Sequence, residues 1–321
     1  MRYVEVGGVR LSVIGLGTWQ FGSREWGYGR QYADGPALEI TRKALDLGVN
    51  LVDTAEIYAF GQSERIVGRA VAGRRAEAFI ATKVFPVLPV APVVEWRARN
   101  SARRLGVETI DLYQVHWPNP VVPDRTAMDG MRRLVDNGVV KNVGVSNYPL
   151  RRWLEAEADL GRPVLSNQVQ YSLAVRKPDA DLVPYAASHD RLIIAYSPLA
   201  QGFLSARYDA ANAPGGVRAG NALFLPENLA RASELLETLR SVAKAHDATP
   251  AQVALAWVIH RPNVVAIPGA SGVDQVVRNA EAADLELSAD EIAELTAASD
   301  RFTPKAGPPA WLDLMRRRIR R

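Results

Sequence analysis

The chain has 321 residues, 48% apolar and 23% charged, enough to bury a sizeable core and too apolar for global disorder. It contains no cysteine, which removes disulfides, a thiol nucleophile and thiolate metal sites. The net charge of +4 belongs to the tail: Arg316, Arg317, Arg318, Arg320 and Arg321 fall in the last six residues and supply more than the whole excess, so no nucleic-acid face is implied. No run approaches about 18 uninterrupted apolar residues, and the start carries no long apolar leader. A cytoplasmic protein without a membrane partner is the expectation.

Gly7-Gly8 between two alternating runs, 3–6 and 9–13, reads as a β-hairpin. Short apolar runs then alternate with longer segments of helical period. Strands are expected over 14–16, 50–53, 78–82, 110–115, 142–145, 165–169, 192–195 and 264–267. Helices are expected over 36–47, 63–72, 92–105, 126–137, 150–160, 179–189, 228–246, 250–260, 273–283 and 289–298, the last capped by Ser288. Eight strands alternating with helices imply parallel pairing with both faces covered. Their even spacing favours an α/β fold of one domain, a (β/α)8 TIM barrel with the hairpin at its bottom, over an open doubly wound sheet.

Three long loops, 20–35, 117–125 and 198–227, leave carboxyl ends of strands, the functional face of a barrel. Trp19, Trp26 and Trp117 on these rim segments either line an apolar substrate pocket or pack beneath loops. Residues 304–321, broken by Pro304, Pro308 and Pro309, read as an irregular basic tail, frayed or folded over the pocket mouth.

Gly15-Leu16-Gly17 suggests a dinucleotide fingerprint, but the third glycine position is Gln20 and a loop follows, which argues against a Rossmann turn. The ends of strands two, three and four carry more. They place Asp53, Lys83 and His116 at the rim, with Tyr58 just beyond Asp53. Singly, these read as an ordinary ion pair, a half-buried histidine and a loop tyrosine. On consecutive strands of one rim they share a pocket. A phenol of pKa about 10 is a poor acid at neutral pH, and a nearby ammonium favours the phenolate and lowers that pKa. Asp53 can hold the ammonium, and His116 can orient a carbonyl oxygen. The set suits reversible protonation of a carbonyl oxygen. One His with one Asp is poor metal spacing, so no metal is expected.

The motifs DTAEIY (53–58), ATK (81–83), LYQVHWP (112–118), GVSN (144–147), NQVQYS (167–172), YSPLAQG (196–202) and IPGAS (267–271) occur in this order after IGLGTW (14–19). In this order and spacing the chain resembles the aldo-keto reductases over nearly its whole length. The resemblance implies a (β/α)8 barrel that binds NADP(H) without a Rossmann domain and interconverts small carbonyls and alcohols. It implies Tyr58 as general acid, tuned by Lys83 and Asp53, with His116 orienting the carbonyl. Thr18, Trp19 and Asp53 would border the cofactor. Ser146, Asn147 and Gln168 would hold the nicotinamide carboxamide, and Tyr196 would stack under the ring. Ser197, Leu199, Gln201 and Gly202 would line the pyrophosphate, and Gly269, Ser271, Gln275 and Asn279 the adenosine end. Read without the resemblance, Ser146 and Asn147 are equally a strand-end turn with Asn147 as helix N-cap, Tyr196 equally a core residue, and Gln275 and Asn279 equally a solvated helix face.

Within the family, residues 196–209 look most like the potassium-channel β-subunit branch and its bacterial relatives. That raises an alternative of another class, a cofactor-binding regulatory module with slow residual activity. A phosphate-binding isomerase or lyase barrel would want a Schiff-base lysine or a metal cluster. For cofactor choice, residues 269–272 carry no positive charge, but Arg207 and Arg218 sit where that branch has basic contacts. The expectation is NADP(H), with Arg218 at the 2′-phosphate and Arg207 nearer the pyrophosphate.

Overall fold

The computed structural model describes residues 1–24, 27–29 and 33–319. Gly7 and Gly8, both at positive φ, turn the chain between β1 (Tyr3–Val6) and β2 (Val9–Ser12), which pair antiparallel. Eight parallel strands follow: β3 (Leu16–Gly17), β4 (Leu51–Asp53), β5 (Phe79–Val84), β6 (Ile110–Val115), β7 (Val140–Ser146), β8 (Ser166–Gln170), β9 (Leu192–Tyr196) and β10 (Val264–Ala266), each pairing with the next. Gly15 N donates to Ala266 O at 2.8 Å and Gly17 N to Pro268 O at 3.1 Å. These bonds bring β3 against the β10 segment and close the sheet into a barrel, which leaves no open edge.

Alternation along each strand decides what lies inside. Near the amino ends the inward positions are apolar. Leu51, Ala81, Leu112, Leu165, Leu192, Ile194, Val265 and Ile267 form one buried cluster, joined by Val6 and Leu11 of the hairpin. Outward neighbours such as Val52, Ile80, Tyr113, Val143, Ile193 and Val264 belong to a larger core under the helices. Each fully buried aliphatic side chain is worth about 1.5–3 kcal/mol, so both layers resist slippage of register. Toward the carboxyl ends the inward positions turn polar: Gln114 and Ser166, then Asp53, Lys83, Ser146 and Gln168, all buried. The site therefore stands on an apolar floor. Gly144 makes room inside: a Cβ there would lie 2.4 Å from Ser166 Oγ and 2.8 Å from Gln114 Cγ.

The helices are α1 (Asp34–Asp46), α2 (Gln62–Val71), α3 (Ala91–Leu105), α4 (Asp124–Asp136), α5 (Leu150–Leu160), α6 (Leu182–Ser188), α7 (Pro226–Arg231), α8 (Ser233–Ala245), α9 (Pro250–Ile259), α10 (Val273–Glu281), α11 (Ala289–Arg301) and α12 (Gly307–Ile319). Ser288 caps α11 through a capping box with Glu291, as its sequence position predicts. Three elements depart from expectation. The helix expected over 179–189 begins at Leu182, because the Asp179 carboxylate is committed to Tyr171 Oη at 2.6 Å and Arg176 Nε at 2.9 Å. The helix expected over 228–246 breaks at Ala232. Buried Asn228 ties α7 to Ala222 O and to Lys305, which sets α7 apart from α8.

The tail is the third. Residues 307–319 are helical rather than irregular. Pro308 and Pro309 fall in the first turn of α12, where a missing N–H is not needed, so they start a helix instead of preventing one. Lys305 links α12 to the barrel through Asp313 at 2.8 Å and Glu227 at 3.2 Å. Arg320 and Arg321 lie outside the described residues.

Candidate active site

Parallel pairing delivers Asp53, Lys83 and His116 to one rim at staggered heights. Asp53 pairs with Ala81, and Lys83 with Gln114, so each strand carries its polar end one step higher than its neighbour. Lys83 is fully buried and Asp53 nearly so. Lys83 Nζ donates to Asp53 Oδ1 at 2.7 Å, to Thr54 O at 2.8 Å and to Tyr58 Oη at 3.2 Å. The other Asp53 oxygen accepts from Gln168 Nε2 at 2.7 Å. The ammonium thus has three acceptors and its counterion two donors, the arrangement a buried ion pair needs to be tolerated.

Tyr58 opens a turn in which Ala59, Phe60 and Gly61 all have positive φ (47°, 54° and 81°). For the first two this is a strained conformation costing of order 1–3 kcal/mol each, of the kind that gathers at functional sites. The turn aims the phenol back at Lys83. The His116 ring meets Tyr58 edge-on at 5.9 Å and stacks on Trp117 at 4.3 Å, and its Nδ1 is buried without a hydrogen-bond partner.

The electrostatics correct one expectation. Burial, with Asp53 adding to it, raises the Tyr58 phenol above its ordinary 10.0, and Lys83 pulls it down without restoring it. The ground state is the neutral phenol. Burial also acts against the Lys83 ammonium, but Asp53 and Tyr58 outweigh it and hold its pKa above the usual value. Burial, reinforced by Lys83, lowers His116 to about 2, so the imidazole is neutral at any working pH.

A second polar ring follows on β7 to β9. Ser146 Oγ donates to Gln168 O at 2.8 Å, Asn147 Nδ2 donates to Ser146 Oγ at 3.0 Å, and Tyr196 Oη donates to Asn147 Oδ1 at 2.9 Å. Asn147 itself has positive φ (61°). It does not cap α5, whose N-cap is Pro149. The side chain points across the rim instead.

These groups open on one cavity of about 1720 Å³ that runs along the carboxyl face. Tyr58 and His116 line it, as do Thr18, Trp19, Asp53, Ser146, Asn147, Gln168, Tyr196, Ser197, Leu199, Gln201, Gly202, Arg207, Arg218, Gly269, Ser271, Gln275 and Asn279. Lys83 stands behind Tyr58. Thr18 is fully buried, with its hydroxyl engaged by Asp53 O at 2.9 Å and Ser63 Oγ at 2.7 Å. Arg218 Nε donates to Gln201 O at 2.8 Å, and Ser271 N to Gln275 Oε1 at 2.9 Å. Trp19 and Trp117 line the cavity with 46% and 43% of their surface exposed, the pocket rather than the packed alternative; Trp26 lies outside the described residues. No described residue of the tail lines it.

Sequence reasoning missed Arg278. It lines the cavity from α10 and supplies the positive charge that residues 269–272 lack. The signal was available: one helical turn after Gln275, position 278 shares the face that carries Asn279. Among the described residues the only carboxylate in the lining is Asp53, which Lys83 neutralises. Among the described residues no cluster suits a metal ion, and no helix is long and apolar enough to cross a membrane.

A closed parallel barrel with a long polar cleft at its carboxyl face defines the class: a (β/α)8 barrel with its site on the strand-end loops. The chain matches the aldo/keto reductase family over residues 13–300 and belongs to it. It is 56% identical, over 100% of both chains, to the uncharacterized oxidoreductase Rv2298 of Mycobacterium tuberculosis. It is 33% identical to the methylglyoxal reductase YeaE of Escherichia coli, over 91% of this chain and 92% of that one. It resembles a solved aldo/keto reductase from Klebsiella pneumoniae in complex with NADP and acetate, with a TM-score of 0.75 and 30% identity over 95% of this chain and 96% of that one. The protein is an oxidoreductase of this family.

Proposed function

We propose that the protein is an NADP(H)-dependent reductase of aldehydes and ketones, with Tyr58 as general acid and Lys83, Asp53 and His116 as its support. The observation that carries this is Lys83 Nζ shared between Asp53 Oδ1 at 2.7 Å and Tyr58 Oη at 3.2 Å in the cavity wall. When bound, the cofactor supplies hydride to the carbonyl carbon. Tyr58 donates its proton to the carbonyl oxygen, and Lys83 stabilises the phenolate as it forms. Asp53 keeps Lys83 charged and fixed. Neutral His116 offers an N–H to the same oxygen without competing as an acid. In alcohol oxidation the phenolate takes the proton back.

The lining suits a dinucleotide phosphate. Arg207, Arg218 and Arg278 face one cavity with no unpaired carboxylate among the described residues, so an anionic ligand meets excess positive charge. Ser146, Asn147, Gln168 and Tyr196 would hold the nicotinamide. Ser197, Leu199, Gln201 and Gly202 would hold the pyrophosphate with Arg207. Ser271, Gln275, Asn279 and Arg278 would hold the adenosine end, with Arg218 reaching the 2′-phosphate. The NADP complex of the Klebsiella protein and the name of the Escherichia coli relative support this reading. The test is NADPH oxidation across a panel of carbonyl compounds with chelator present. Turnover with one or more of them is expected; absence of nicotinamide binding by fluorescence overturns the reading.

A further inference from the structure

Glu56 lies two residues before Tyr58 within the DTAEIY motif, and the proposed chemistry gives it no role. Its side chain is only 9% exposed, and that of its partner Arg97 on α3 is 20% exposed. Arg97 Nε sits 3.0 Å from Glu56 Oε1 and 3.1 Å from Oε2. Glu56 Oε1 also accepts from Phe85 N at 2.6 Å, and Arg97 Nη1 donates to Phe85 O at 2.8 Å and Val87 O at 3.2 Å. The Glu56 backbone N donates to Lys83 O at 3.4 Å. One ion pair therefore grips the chain beside Tyr58 and the chain just after Lys83. It reaches the third group through Phe85, whose ring meets His116 edge-on at 6.2 Å and Trp117 at 6.2 Å.

This position matters because the far side of Tyr58 is strained. Ala59, Phe60 and Gly61 all sit at positive φ, so local backbone preference does not hold the turn, and an outside tie must. A near-ideal approach of donor to carbonyl is easily lost: a displacement of about 1 Å costs up to about 100-fold in rate.

We propose that Glu56 and Arg97 form a positioning clamp, which locks the loops after β4 and β5 together and so sets the approach of Tyr58 and His116 to the substrate carbonyl. The proposal rests on the reading of Tyr58 as the acid. Glu56 and Arg97 do not line the cavity; they are positioning residues.

The experiment compares Glu56→Gln, Arg97→Met, Arg97→Lys and Tyr58→Phe with the wild type. Rates are expressed per NADPH-binding site, so that a misfolded fraction does not count. Glu56→Gln keeps an acceptor for Phe85 N and loses the charge, so it remains the decisive variant if Arg97→Met does not fold. Expected for Glu56→Gln and Arg97→Met are a fall in kcat of about 10- to 100-fold, an NADPH Kd within about 2-fold, and a larger isotope effect with cofactor deuterated at the transferred position. Arg97→Lys should fall between. A merely structural pair would lower the number of binding sites and leave kcat per site and the isotope effect at wild-type values; that result overturns the clamp. If Tyr58→Phe keeps a tenth or more of wild-type turnover, the reading of the acid fails instead. If Tyr58→Phe loses turnover while the clamp variants keep theirs, only the clamp fails.

Discussion

The Tyr58 phenol, the proposed acid, is held up in pKa by burial, the largest effect, and by Asp53, against the Lys83 ammonium. Removing the hydroxyl leaves the cavity and its cationic lining intact. Tyr58→Phe should therefore bind NADPH nearly as the wild type does and turn over roughly 10²–10⁴ times more slowly, measured under conditions where chemistry limits the rate. Lys83→Met should fall as far, since it strips the phenolate of its partner and leaves Asp53 buried and unpaired. The pH profile follows from the same residues. In the proposed mechanism reduction needs the protonated phenol, and burial holds its pKa above 10.0, so kcat/KM for reduction should stay level through neutral pH and fall only as pH rises past that value. His116, lowered to about 2, should add no limb near 6.5. A rate that halves between about pH 6 and 7 would show a histidine titrating in the mechanism.

Among the elements, β7 shows how the barrel interior constrains the site from below. Gly144 faces inward beneath Ser146, and a methyl group there would meet Ser166 Oγ at 2.4 Å, Gln114 Cγ at 2.8 Å and Leu112 Cδ1 at 3.2 Å. Gly144→Ala should cost roughly 1–3 kcal/mol by overpacking, read as a Tm several degrees lower. An unchanged Tm would mean that Ser166 and Gln114 repack freely. The loop after β9 is constrained by its backbone. Ser197, Ala200, Gln201, Gly202 and Ala206 all have positive φ, and Arg218 fastens the carbonyl of Gln201. That loop is rich in Gly, Ala and Asn, and it holds a defined, strained path along the cavity.

For the whole molecule, the positive lining of the cavity bears on the proposed choice of cofactor. Hydrogen bonds to charged groups are worth about 1.5–3 kcal/mol, so Arg218→Ala should weaken NADPH binding roughly 10- to 150-fold and barely change NADH. Equal losses with both would move Arg218 to the pyrophosphate, and a wild-type preference for NADH would overturn the assignment. Arg278 contributes to the same field from α10, so the loss should stop short of abolishing the preference.

Strand period, helix period and turn glycines are local properties, and they were legible: the eight strands, the hairpin turn at Gly7-Gly8 and the N-cap at Ser288 follow from residues a few positions apart. Asp53, Lys83 and His116 were legible for the same reason, since each ends a readable strand and parallel order makes those ends neighbours. What the sequence left open depends on contacts between distant segments. Asn228 bonding to Lys305 separates α7 from α8, and Lys305 secures α12, where prolines that read as breakers serve as a first turn. The direction of the Tyr58 pKa needed the depth of burial, which no local pattern records. The Glu56–Arg97 pair became visible only once the barrel had closed, because charge and position act through space while a sequence displays neighbours along the chain.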